Sequence, residues 1–207
     1  PATALPGTTF SVTDTVQNYG IQTAGASTTR YYLSLDALKS TSDTLLTGTR
    51  AVPSLTSLAT STGTVTVTIP TTTALGTYFL LACADDTKVV AEASETNNCT
   101  ASPTTVQVTR PDLIETSVTN PPATALPGAT FPVTDTVQNQ GGLDAAASTA
   151  RYYLSLDGAK DSTDKLLTGT RAVPTLAPSA TSTSTVTVTI PTTTALGTYF
   201  LFACADD

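Results

Sequence analysis

The sequence predicts an all-β fold, two β-sandwiches in tandem, on three observations: a residue palette suited to strands, apolar and polar residues alternating with period two, and one long internal repeat. The chain has 207 residues, enough for one or two domains that each bury a core. Threonine dominates, supported by Val and Tyr, whereas His, Met and Trp are absent. β-Branched and aromatic side chains fit a pleated, half-buried surface, and the usual helix formers Glu, Lys, Met and Gln are scarce.

The repeat sets the domain organisation. Pro1 through Asp86 recurs as Pro122 through Asp207 at a constant offset of 121 residues without a gap, and 66 of the 86 pairs are identical. A period of this length is a duplicated domain, because solenoid repeats run to 20–50 residues. Two domains are expected, 1–110 and 111–207, the first lacking its opening strand and the second its last loop and strand. Of the 20 differences between the copies, five lie within 19–25, six within 37–44 and four within 54–58. Surface connections tolerate change that packed strands do not, so these windows are predicted loops.

Each element follows from the alternation and its breaks. Thr64-Val65-Thr66-Val67-Thr68-Ile69 puts its apolar residues on one face and its threonines on the other. Tyr31, Leu33 and Leu35 share a face in the same way, as do Phe10, Val12 and Val16 around Asp14. Pro, Gly and Asn mark the breaks at Leu5-Pro6-Gly7, Asn18-Tyr19-Gly20, Ile69-Pro70 and Leu75-Gly76. Over one period the predicted strands are 112–119, 131–138, 149–156, 166–173, 183–190 and 198–203, with a seventh, 100–108, seen in the first copy. Seven short strands with turn signals between them predict a Greek-key sandwich of the Ig-like or fibronectin-III-like kind.

Several stretches resemble the CARDB domain, the cell-adhesion-related Ig-like domain found in bacteria. They are Pro111-Asp112-Leu113, Val137-Gln138-Asn139-Gln140-Gly141, Gly76-Thr77-Tyr78 and, above all, Val90-Ala91-Glu92-Ala93-Ser94-Glu95-Thr96-Asn97-Asn98. The resemblance covers the whole chain. It implies an architectural module of bacterial and archaeal surface proteins, without a shared catalytic site.

The chemistry on offer is narrow. Without His the usual general base and commonest metal ligand is missing, and no Gly-x-Ser-x-Gly elbow or phosphate-cradling glycine loop occurs. Asp85, Asp86, Glu92 and Glu95 are the nearest candidates for paired carboxylates, but Asp85 and Asp86 are adjacent near a strand end and tend to opposite faces. Glu92, Glu95, Asn97 and Asn98 read as a loop that hydrogen-bonds its own backbone. The chain is therefore expected not to be an enzyme. Asp14 and Asp135 fall on the core face and need a cation, Arg30 or Arg50 in the first copy and Arg151 or Arg171 in the second.

Cys83 and Cys99 are predicted to form a disulfide across the turn between the sixth and seventh strands, which implies an oxidising compartment. Cys204 equals Cys83 plus 121, so its partner is expected outside the chain. Asp157, Asp161 and Asp164 lie close enough in one loop to gather oxygens around calcium, and no other cofactor is expected. The first copy has Asp36, Ser40 and Asp43 there. Thr71, Thr72 and Thr73, with the outward row Thr64, Thr66 and Thr68, are candidate acceptors for O-linked glycans.

Net charge is −7. The nine Lys and Arg are spread singly, which offers no basic stripe for nucleic acid, and no apolar run is long enough to span a bilayer. The expected function is structural: an extracellular or cell-surface fibre or stalk of end-to-end repeats, possessing neighbouring copies as partners in one long chain or head to tail. Only Thr109 and Arg110 separate the last strand of one domain from the Pro111-Asp112-Leu113 opening of the next, with no Gly or Ser spacer to loosen the string. The competing class is a surface binding module that recognises a glycan or protein through the variable loops, where Tyr19 is the single aromatic.

Overall fold

The computed structural model describes residues 1–207 and contains strands and loops but no helix. It divides into two compact units, Pro1–Arg110 and Pro111–Asp207. The first holds β1 (Thr3–Ala4), β2 (Thr9–Gln17), β3 (Ser27–Ser34), β4 (Thr44–Val52), β5 (Thr60–Thr68), β6 (Gly76–Cys83) and β7 (Cys99–Val108). The second holds β8 (Leu113–Val118), β9 (Thr130–Asn139), β10 (Ser148–Ser155), β11 (Lys165–Leu166), β12 (Arg171–Val173), β13 (Thr181–Thr189) and β14 (Phe200–Cys204).

In the first unit the strand order is β1-β7-β6-β3-β4-β5-β2. All neighbours are antiparallel except β1, which runs parallel to β7 through Thr3↔Gln107 and Ala4↔Val108. The path folds over at β4, which meets β5 only at Thr47↔Thr68, so β5 and β2 form a second layer. Val12 from β2 and Val67 from β5 pack there against Tyr31, Leu33, Tyr78, Val106 and Val108 of the other layer. The second unit repeats the plan with β10 flanked by β11, β12 and β14, and with a separate sheet β13-β9-β8.

Alternation becomes layers as expected. Along β5, Val67 is wholly buried while Thr60, Thr62, Thr64 and Thr66 are exposed on the other face. On the outer face of β2 and β5 the threonines satisfy one another: Thr13 and Thr64 Oγ1 lie 2.7 Å apart, and Thr15 and Thr62 Oγ1 2.8 Å apart. The second unit repeats both pairs as Thr134–Thr185 and Thr136–Thr183. Such cross-strand hydroxyl pairs add a few tenths of a kcal/mol each to the ladder, about 0.2–1.

The structure corrects the predicted elements at several points. The strand expected over 166–173 is broken into β11 and β12, and its counterpart β4 carries a register shift opposite Arg30 and Tyr32. Gly48 and Gly169 cause the bend, at φ +112° and +114°, where a Cβ on Gly48 would lie 2.5 Å from the Thr66 carbonyl oxygen. Strand β1 was not expected, because two residues show no alternation. The sixth strand of the second unit starts at Phe200, two residues later than predicted.

Candidate functional site

Each unit is organised around one buried ion pair. Asp14 and Asp135 project into the core from β2 and β9, as the alternation requires. Of the two arginines open to each, the structure selects Arg50 and Arg171, on the strand that bends between the layers. In the first unit Arg50 Nε donates to Asp14 Oδ1 at 2.7 Å and Nη2 to Oδ2 at 2.6 Å, while Tyr31 Oη donates to Oδ1 at 2.6 Å. Arg50 Nη1 also donates to Ser61 Oγ at 3.1 Å. In the second unit Arg171 Nε and Nη2 donate to Asp135 at 2.8 and 2.6 Å, Tyr152 Oη donates at 2.7 Å, and Arg171 Nη1 reaches Ser182 Oγ at 3.0 Å. The ring of donors ties three strands from both layers to one carboxylate.

The electrostatics follow from this geometry. Burial by itself would raise the Asp14 carboxyl, but the hydrogen bonds from Arg50 and Tyr31 outweigh it and hold the group below the usual range. The Tyr31 and Tyr152 hydroxyls are pushed up, by burial first and then by the carboxylate they serve. Both phenols therefore stay protonated donors.

Glu115, on β8, was missed by the sequence reading. It shares a face with Leu113, but Ile114 and Val118 make the opposite face of the strand the more apolar one, so the pattern gave no clear signal of its burial. Both its carboxylate oxygens are buried and neither has a hydrogen-bond partner. A second overlooked role belongs to Asn139, wholly buried, whose Nδ2 donates to the Leu143 and Leu176 carbonyls while Oδ1 accepts from the Asp112 and Gly141 amides. Asn139 thus staples the loop after β9 to two other segments, as Asn18 does to Gln22, Leu55 and Thr56.

Cys83 and Cys99 form a disulfide with Cα atoms 4.0 Å apart at the end of the β6–β7 ladder. Cys204 is free and partly buried, and burial, then the charge of Asp207, pushes its thiol up. Asp85 is buried and accepts from the amides of Val89 and Val90, so it builds the loop after β6. Asp86 accepts from Tyr32 Oη at 2.7 Å and lies 3.6 Å from Arg30 Nη1, and Asp207 likewise accepts from Tyr153. Glu92 accepts from Asn98 Nδ2 at 2.6 Å within its own loop. Glu95 and Asn97 are exposed.

The structure does not gather Asp157, Asp161 and Asp164 into a cage. Asp157 accepts from the Ala159 amide, Asp161 from Thr163, and Asp164 from the Asp161 amide, which spends each carboxylate on its own turn. No group of three or more His, Cys, Asp or Glu side chains converges on a point that could hold a metal ion. Thr71 and Thr72 are exposed but Thr73 is buried, so a glycan on that turn would have to sit on one of the first two. No helix is long and apolar enough to cross a membrane.

The CARDB family model matches the chain twice, over residues 1–102 and 110–207. No curated protein matches the sequence. Among solved structures the chain is similar to one described as a chaperone–tip adhesin complex in CFA/I fimbriae biogenesis, at 9% identity and a TM-score of 0.26, over 98% of this chain and 95% of that one. It is similar to the CsuC–CsuE chaperone–tip adhesion subunit complex of Acinetobacter baumannii at 12% identity and 0.23, over 97% and 93%. It is also similar to the secreted serine protease VesC of Vibrio cholerae at 8% and 0.27, over 97% of this chain and 47% of that one. Similarity at this level does not extend to function.

Proposed function

The chain belongs to the CARDB family of cell-adhesion-related domains, and from that premise we propose that it is a structural component of an extracellular fibre or stalk built from end-to-end Ig-like repeats. One observation carries the reading: two sandwiches repeat the same buried Tyr-Asp-Arg lock in tandem, Tyr31-Asp14-Arg50 and Tyr152-Asp135-Arg171. In each unit the buried charge is used to tie strands together. The disulfide of the first unit adds a covalent tie and suits an oxidising, extracellular setting. Neighbouring copies of the repeat, in one chain or head to tail, are the partners, and no catalytic step belongs to the module.

Electron microscopy of the native material tests this. Filaments with an axial repeat of one domain are the expected result, and isolated compact particles would overturn it. Denaturing electrophoresis without reductant then separates one very long chain from short subunits of about the 21.1 kDa of this sequence.

One observation favours the binding-module alternative. Tyr19, Ile21 and Leu58 are 77%, 93% and 64% exposed, on two variable loops that Asn18 ties together. Exposed apolar side chains on loops joined by hydrogen bonds suit contact with a protein surface. Replacement of all three by Ser, with adhesion or pull-down measured against the unchanged chain, distinguishes this reading from the structural one.

A further inference from the structure

Glu115 stands apart from every other ionisable group in the chain, because both its oxygens are buried without a donor. The groups around it explain why none is supplied. Asp135 faces it from β9, and Arg171, from β12, is already committed to Asp135 and Ser182. Tyr152, from β10, gives its hydroxyl proton to Asp135. From β14 the nearby titratable group is the Cys204 thiol. An ionised Glu115 therefore places two carboxylates against one guanidinium in a dry site, a charge without compensation.

The strand that carries it is weakly held. β8 pairs with β9 alone, and its register shifts between Glu115 and Ser117. Its residues are half-buried or exposed.

We propose that Glu115 is a protonation lock on β8: with a neutral carboxyl the strand stays zipped to β9, and with an ionised one it unzips reversibly while the rest of the unit remains folded. Burial first, and then the charge of Asp135, push the Glu115 carboxyl up to about 7, with Arg171 pulling the other way. The sign follows directly. When β8 opens, Glu115 returns to water and its ordinary value of 4.5. Closure is therefore most favourable below about pH 4.5, weakens as pH rises towards 7, and levels off above it. Opening adds β8 to the four-residue connection 109–112 that follows β7. In the proposed fibre this would make the junction looser at neutral pH than in acid, a consequence that rests on the fibre reading, whereas the lock itself does not.

Amide hydrogen exchange on the full 207-residue chain, corrected for the intrinsic rate at each pH, reads the opening of β8 directly. Protection of the β8 amides should fall by at least about tenfold between pH 5 and 7, then level off, while β2 and β5 stay unchanged. Glu115→Gln should remove the fall. Side-chain carboxyl NMR of the unaltered protein should place the Glu115 midpoint near 7. A midpoint near the ordinary glutamate value, a flat β8 profile, or a Glu115→Gln variant that follows the parent would each overturn the proposal. If that variant loses protection throughout β9 and β13, the carboxyl titration and the β8 protection profile of the unaltered protein decide the matter together.

Discussion

Replacing Asp135 by Ala removes the acceptor of three side-chain donors and leaves Arg171 in place. Asp135 is wholly buried and Arg171 only 4% exposed, so the guanidinium keeps Ser182 as its sole hydrogen-bonded side-chain partner, and the nearby Glu115 carboxyl is the one counter-charge left to it. Breaking a buried pair on one side costs about 3–5 kcal/mol, of which an ionised Glu115 beside Arg171 offsets a part, and the Tyr152 hydroxyl adds an unmet donor worth about 1 kcal/mol or more. Urea unfolding followed residue by residue by NMR reads the two units separately, with the first as an internal reference. With a slope of about 1–3 kcal/mol per molar, the midpoint of the second unit should fall by roughly 2 M. The combined replacement Asp135→Leu, Arg171→Met and Tyr152→Phe, which removes charge and donors together, should cost less than Asp135→Ala alone. A loss below about 1 kcal/mol for Asp135→Ala would refute the reasoning. So would a triple replacement worse than the single one.

Cys83→Ser with Cys99→Ser, or reductant, should destabilise the first unit by about 3 kcal/mol, since the bridge closes a loop of 16 residues; calorimetry should show a drop of about 12 °C or more in its Tm. Acid should weaken the first unit through Asp14, whose lowered carboxyl stabilises the fold above the ordinary value of 3.8 and loses that contribution as pH falls through its folded value. Acid unfolding of Asp14→Asn should be correspondingly flatter, and an unchanged slope would count against the assignment. Gly48→Ala, at φ +112° with a Cβ 2.5 Å from a backbone oxygen, should cost about 2–4 kcal/mol in urea unfolding, whereas Gly158→Ala, with nothing within 4 Å, should change stability by less than about 1 kcal/mol.

The layers were legible in the sequence because period two leaves little choice. Val12, Val67, Tyr31 and Leu33 could only share an interior, and the disulfide followed from two cysteines at opposite ends of one strand turn. The partner of Asp14 was not legible. Arg30 is the nearer in sequence, 16 residues from Asp14 against 36 for Arg50, yet the bend at Gly48 brings Arg50 across to β2. The same bend split the strand predicted over 166–173, since positive φ at one glycine is invisible to a pattern of apolar residues. Glu115 escaped notice because alternation does not mark it as inward: Ile114 and Val118 make the opposite face of β8 the more apolar one, and its isolation depends besides on Arg171 being occupied already. The calcium reading of Asp157, Asp161 and Asp164 failed to gain support because spacing along a loop does not reveal that each carboxylate is used by a backbone amide nearby.

The Cys83–Cys99 bridge also bears on mechanical load. Pulled from its two ends, the first unit would pay out its strands until the bridge took the force directly. The chain between the two cysteines would then be shielded from extension. Sixteen residues at about 3.3–3.6 Å each amount to roughly 50 Å of contour length withheld per unit. A single-molecule extension trace would therefore lengthen by that increment when the bridge is reduced, and an oxidised strand of such modules would behave as a shock absorber with a built-in stop.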